Sequence, residues 1–200
     1  MKQFKCYPLS EKNIYLKIKT EHTEKGTLYR LATAIFILGL DIFSGEIKTL
    51  NQNNESYSED TFILRFNESS QSINEFSYQL GILMESLLNR EIEPEKILAT
   101  NSNKKVPTLK EIIEAGFDYI IDENKAKNQI LFYFETIDRS GLLVSMTKFF
   151  YENNINIIEA KILTEYEKVA KDTFILEYEN QESIKNLRSQ LEKYIHQQIP

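Results

Sequence analysis

Between residues 13 and 20 the chain alternates, with Ile14, Leu16 and Ile18 set against Lys17 and Lys19. That period of two marks a half-buried strand. From residue 28 the period changes. Leu28, Leu31, Ala32, Ile35 and Leu38 recur at helical spacing, and Gly39 suits the helix C-terminal cap. Residues 41–50 and 61–66 read as strands around a polar hairpin loop at 51–58. Ile73, Phe76, Leu80, Leu83, Leu87 and Leu88 then draw one apolar stripe along a long helix. The predicted order is strand, helix, strand, strand, helix.

The same order returns further on. A strand is predicted at 129–136, a turn at 137–141, and a helix whose face carries Leu142, Met146, Phe149 and Phe150. Strands at 156–164 and 173–178 flank a hairpin at 165–171, and Ile184, Leu187, Leu191, Tyr194 and Ile195 stripe the last helix. Between the two runs, residues 91–116 are charged and interrupted by Pro94 and Pro107. Thr108 can cap a short helix there, ended by Gly116. Residues 117–121 have strand character, and 122–128 turn the chain back onto the next strand.

The two runs are related in sequence as well as in pattern. Asp60-Thr61-Phe62-Ile63-Leu64 returns as Asp172-Thr173-Phe174-Ile175-Leu176, and Gly26-Thr27-Leu28 is echoed by Gly141-Leu142-Leu143. The offsets are 172 − 60 = 112 and 141 − 26 = 115, so a whole domain is duplicated. The expected division is a first domain at 1–92, a linker with a short helix at 93–116, and a second domain at 117–200. The fold class is α+β, two ferredoxin-like βαββαβ domains with antiparallel sheets and helices on one face. The strand before the second repeat would replace, or pair beside, the missing fourth strand. The other face of each sheet needs cover from the other copy or from another subunit.

With 42% hydrophobic and 27% charged residues, the composition is that of a soluble globular chain. A domain of this size buries only about 60–65% of its unfolded surface, so packing the halves together or dimerising would help each. A net charge of −6 argues against nucleic acid, and Lys104-Lys105 is the only basic doublet. Cys6 is alone, which excludes an intrachain disulfide and points to a reducing compartment. The longest apolar stretch, 31–40, is too short to cross a bilayer. A cytoplasmic protein with no nucleic-acid or membrane partner is expected. His22 and His196 lie in different repeats without metal-ligand spacing, and no P-loop or dinucleotide glycine pattern appears. No catalytic residue, metal or cofactor is expected.

Asp138-Arg139-Ser140-Gly141-Leu142-Leu143, followed by a helix, Asn154-Ile155-Asn156-Ile157, Ala160-Lys161-Ile162 and Asp172-Thr173-Phe174, resembles an ACT domain. The resemblance covers about 130–195 well and 14–88 more loosely. Within that family it is most similar to the C-terminal tandem ACT region of the PII uridylyltransferase of bacterial nitrogen control. That enzyme's catalytic parts have no counterpart here. There is no Gly-Ser motif followed by paired aspartates and no His-Asp dipeptide.

The resemblance implies an effector site where the strand-to-helix turn meets a neighbouring domain. It places Asp138, Arg139, Ser140, Gly141, Leu142 and Leu143 at that turn, with Asn156 and Ile157 as the opposite wall. Asp138 would receive an amino group and the N–H groups of Gly141 and Leu142 a carboxylate. The plainer alternative is that Asp138 or Ser140 caps the helix and Gly141 only permits the turn. In the first repeat, Thr23, Glu24 and Lys25 replace the acidic opening, with one extra residue in the turn. A weaker site there would use Glu24, Lys25, Gly26, Thr27, Leu28, Asp41 and Ile42, with Glu24 standing in for the missing acid and His22 nearby.

The function implied is a non-catalytic regulator that binds an amino acid, glutamine by analogy, and signals allosterically to a partner enzyme or regulator. Self-association through the sheets accompanies it. An oligomerisation module without a ligand, and a regulator of transcription acting through protein contacts, are the alternatives.

Overall fold

The computed structural model describes residues 3–20, 24–52, 55–66, 73–165 and 168–196. The first half contains β1 (Gln3–Pro8), β2 (Asn13–Thr20), α1 (Thr27–Ile37), β3 (Leu40–Gln52), β4 (Glu55–Phe66) and α2 (Ile73–Leu88). Two short helices follow, α3 (Pro94–Thr100) and α4 (Leu109–Glu114). The second half contains β5 (Phe117–Asn124), β6 (Gln129–Ile137), α5 (Leu142–Glu152), β7 (Ile155–Leu163), β8 (Val169–Tyr178) and α6 (Gln181–His196). His22 and Thr23 lie outside the described residues. No helix among the described residues is long and apolar enough to cross a membrane.

The fold is α+β with one antiparallel sheet of eight strands, ordered β1-β2-β4-β3-β7-β8-β6-β5. Where two sheets were expected, the halves share one. Their seam pairs Ser44 with Leu163, Gly45 with Ile162, Glu46 with Lys161 and Ile47 with Ala160. Each half carries one β-bulge, at Ile42/Ser44 and at Ile157/Glu159. These sit at equivalent places beside the seam, where a bulge bends the strand and re-aims its side chains.

Strand β5 pairs beside β6 along its whole length, as the reading of residues 117–121 allowed. Its counterpart β1 pairs with β2 in the same way and escaped the sequence reading. An edge strand buries little, and β1 is exposed along nearly all its length, so it leaves no apolar stripe. The hairpin placed at 51–58 is shorter than expected. Strand β3 runs to Gln52 and β4 begins at Glu55, because cross-strand pairing carries the polar residues into the ladder. Likewise β8 begins at Val169, not at 173. Helix α3 was also missed. Pro94 opens it, and a proline is harmless at a helix's first position because that N–H has no partner anyway.

Ile14, Leu16, Ile18, Phe62 and Leu64 are buried beneath α1 and α2, and Ile130, Phe132, Phe134, Phe174 and Leu176 beneath α5 and α6. The core is continuous across the seam. Arg30, itself buried, donates from Nη1 to the Leu87 carbonyl at 3.3 Å and from Nη2 to Glu93 at 2.9 Å, which ties α1 to the end of α2. In α4, Glu111 N–H donates to the Thr108 hydroxyl at 3.2 Å and Thr108 N–H to the Glu111 carboxylate at 2.7 Å, a reciprocal cap. The halves lie edge to edge. One face of the sheet is therefore left without helices along its full width.

Candidate functional sites at the two strand-to-helix turns

Both turns are built alike. Gly26 and Gly141 sit at φ +82° at the N-terminus of α1 and α5, a left-handed conformation that glycine adopts without strain. Neither helix has a side-chain cap, so neither Asp138 nor Ser140 plays the capping role. Leu142 N–H donates to the Arg139 carbonyl at 3.1 Å, as Thr27 N–H does to Glu24 at 3.0 Å. The Leu142 donor expected for a ligand carboxylate is therefore already used inside the turn.

The structure exchanges the walls of the two sites. The second turn, Asp138 to Leu143, faces Phe36, Leu40, Asp41 and Ile42 of the first repeat across a cavity of about 50 Å³. The first turn, with Glu24, Gly26, Thr27 and Leu28, faces Tyr151, Ile155, Asn156 and Ile157 of the second repeat across about 10 Å³. Asn156 and Ile157 were placed opposite the second turn, and Asp41 and Ile42 beside the first. Each pair instead completes the other repeat's turn. Edge-to-edge pairing of β3 with β7 brings the start of each strand against the neighbour's helix, which no reading of one repeat alone can show.

Three carboxylates line the larger cavity: Asp41, Asp138 and Asp172. Burial pushes the Asp138 carboxyl above its usual range, with Asp41 adding to it and the Thr164 hydroxyl, the Arg139 N–H and Arg65 opposing. Asp172 is 2% exposed and accepts a hydrogen bond from the Leu163 N–H at 3.2 Å. Burial, reinforced by Asp138, raises it to about 8. At neutral pH Asp172 is thus a hydrogen-bond donor as well as an acceptor. Arg139 donates from Nη1 to the Glu111 carbonyl at 3.3 Å, while its Nε is buried without a partner. Ser140 is exposed. Gly141 is overlain by Phe36, Pro107 and Val106, so the linker roofs this turn.

The smaller cavity is differently furnished. Glu24 is drawn away by Arg90, which donates to it at 2.6 Å. Lys25 reaches Asn154 at 2.6 Å and Glu179 at 2.5 Å, clear of the cavity. Tyr151 lies against Gly26, so that a Cβ there would stand 2.8 Å from the ring. Asp60, the counterpart of Asp172, is 2% exposed and accepts from Ser58 Oγ at 2.6 Å. Burial raises it to about 7. The Asn156 side-chain oxygen is buried here without a hydrogen-bond partner.

Asp60 and Asp172 were visible only as members of a repeated pentapeptide. A signal for their burial was present, because Asp and Phe two apart on a strand share a face, and Phe62 and Phe174 belong to the core. Among the described residues no group of three or more His, Cys, Asp or Glu side chains is arranged to hold a metal ion. No protein-family model matches the chain, and no curated protein matches it.

Proposed function

We propose that the protein is a non-catalytic regulator whose second-turn cavity binds the ammonium end of a small amino acid. The observation that carries this reading is the cavity of about 50 Å³ lined by Asp41, Asp138 and Asp172 at the junction of the repeats. That is several times the ~10–15 Å³ that a single water needs, whereas the first-turn cavity only reaches that minimum. Asp41 and Asp138 would attract the ammonium group, and protonated Asp172 would donate to a ligand oxygen.

The strand order within each half, with the preceding strand in place of a fourth, is consistent with two permuted ferredoxin-like units of the ACT kind. A site walled by both repeats couples binding to their relative placement, and so to contacts with a partner enzyme or regulator. Glutamine remains the effector suggested by the resemblance to the uridylyltransferase region. A longer side chain requires Phe36 or the linker at Pro107 to shift.

Thermal-shift unfolding against the twenty amino acids tests the proposal. Stabilisation of the wild type by one or two of them, abolished in Asp138→Ala and reduced in Asp41→Asn, is expected. No shift with any amino acid sinks it and favours the ligand-free interaction module, for which the closed first-turn cavity speaks.

A further inference from the structure

The two halves of the helix-free face carry opposite charge. One row runs across all eight strands from Lys5 through Lys17, Glu46 and Lys161 to Tyr133 and Ile120. On the first half, this face presents Lys5, Lys17, Lys19, Lys48 and Arg65 against Glu46 and Glu59. Lys17 pairs with Glu59 at 2.7 Å and Lys48 with Glu46 at 2.8 Å. Arg65 is matched by Asp41, its partner in the β3–β4 register, so the surplus of Lys5 and Lys19 is positive.

On the second half the face presents Asp118, Asp122, Glu135, Glu159 and Glu177 against Lys161 and Lys171. Lys171 pairs with Glu135 at 3.8 Å. Asp118, Asp122, Glu159 and Glu177 form no ion pair among the described residues. The duplication preserved the fold of this face and reversed its charge.

Apolar side chains stand between the charges. Tyr7 stacks on Tyr15 at 4.8 Å between ring centres, beside Ile63. Ile120 and Leu131 are 60% and 43% exposed on the other half. Eight strands at ~4.8 Å spacing make a face about 34 Å wide and about 20 Å deep, roughly 700 Å² per copy, close to the ~800 Å² per partner of a stable interface.

We propose that this face joins two copies of the chain back to back, the first half of each lying over the second half of its partner. A two-fold axis parallel to the strands, passing over the β3–β7 seam, brings this about. Placing first half on first half sets like charges together at both ends, and that juxtaposition is disfavoured. The apolar residues supply the burial and the charges choose the orientation. The inference stands apart from effector binding.

Sedimentation equilibrium of the full chain tests it, using Lys5→Glu/Lys19→Glu and Asp118→Lys/Asp122→Lys variants whose melting curves match the wild type. The wild type is expected to be a dimer, weakened by about 0.5 M salt as screening shortens the reach of the charges. Each variant alone should dissociate at least about tenfold more readily. An equimolar mixture of the two should regain the dimer, because each then meets its complement. A wild type that stays monomeric overturns the proposal and leaves the face to a different protein. So does a dimer that both variants leave intact, or a mixture that fails to reassociate.

Discussion

The two turns share a backbone and differ in what closes over them. At the first, a half-exposed tyrosine lies on the glycine and the acidic side chain is drawn outward to Arg90. At the second, the linker roofs the glycine and three aspartates face inward. Duplication supplied two equivalent frames. The residues reaching each frame from the opposite repeat made one a cavity and left the other nearly solid.

The glycines give the largest test of that difference. An alanine at φ +82° costs about 1–2 kcal/mol in backbone strain at either turn. At Gly141 the added Cβ also meets Pro107 Cδ at 3.0 Å and the Phe36 ring at 3.1 Å, with the Val106 backbone behind them. At Gly26 the Cβ meets only the Tyr151 ring, at 2.8 Å, which can turn toward solvent, so Gly141→Ala is expected to destabilise by about 2–4 kcal/mol and Gly26→Ala by about 1–3. Adding Tyr151→Ala should relieve the steric part only at Gly26. Equal losses in urea melts would erase that difference between the turns.

The buried aspartates sharpen it through pH. Asp172, raised to about 8, holds a proton in the folded chain that the unfolded chain releases near pH 4. Stability must therefore fall as pH rises from about 4 and level off above about 8. Asp60, raised to about 7, acts the same way over a narrower window. Between pH 7 and 8 the slope belongs mainly to Asp172. Asp172→Asn should flatten the melting temperature there and raise it at pH 8 by about 3–9 °C, corresponding to ~1–3 kcal/mol. Asp60→Asn should leave that stretch of the curve sloping.

A smaller effect follows from the exchanged walls. If the second-turn cavity binds an amine, Asp41→Asn should weaken the effector about tenfold by calorimetry, while Asn156→Asp leaves it unchanged. The reverse ranking would restore the within-repeat assignment. Smallest is the tie at the first turn, where Lys25 and Glu179 are both partly exposed. Lys25→Ala is expected to cost under about 1 kcal/mol, and a larger loss in chemical denaturation would show that this turn is held from outside.

Much of this was legible in the residues. The period of two at Ile14, Leu16 and Ile18 and the helical spacing from Leu28 to Leu38 placed β2 and α1 nearly to the residue. The repeat placed both turn glycines at matching positions. The parts that stayed hidden have physical causes in common. Strand β1 buries too little to leave a stripe, and Glu55–Phe66 carries enough polar residues to resemble a loop at its start.

By itself, then, the sequence determined the order of the repeated elements, the face each of their strands turns to the core, and the duplication. Side-chain period and the glycine requirement of a left-handed turn are local, and local rules leave a local record. Only the tertiary structure decided that Ser44–Ile47 pairs with Ala160–Leu163 and not with another edge. Such a join is made by backbone groups that every residue carries alike, so no side chain announces it. From that single pairing follow the crossed walls of the two cavities, the meeting of Asp41 with Asp138, and the bare face of the sheet.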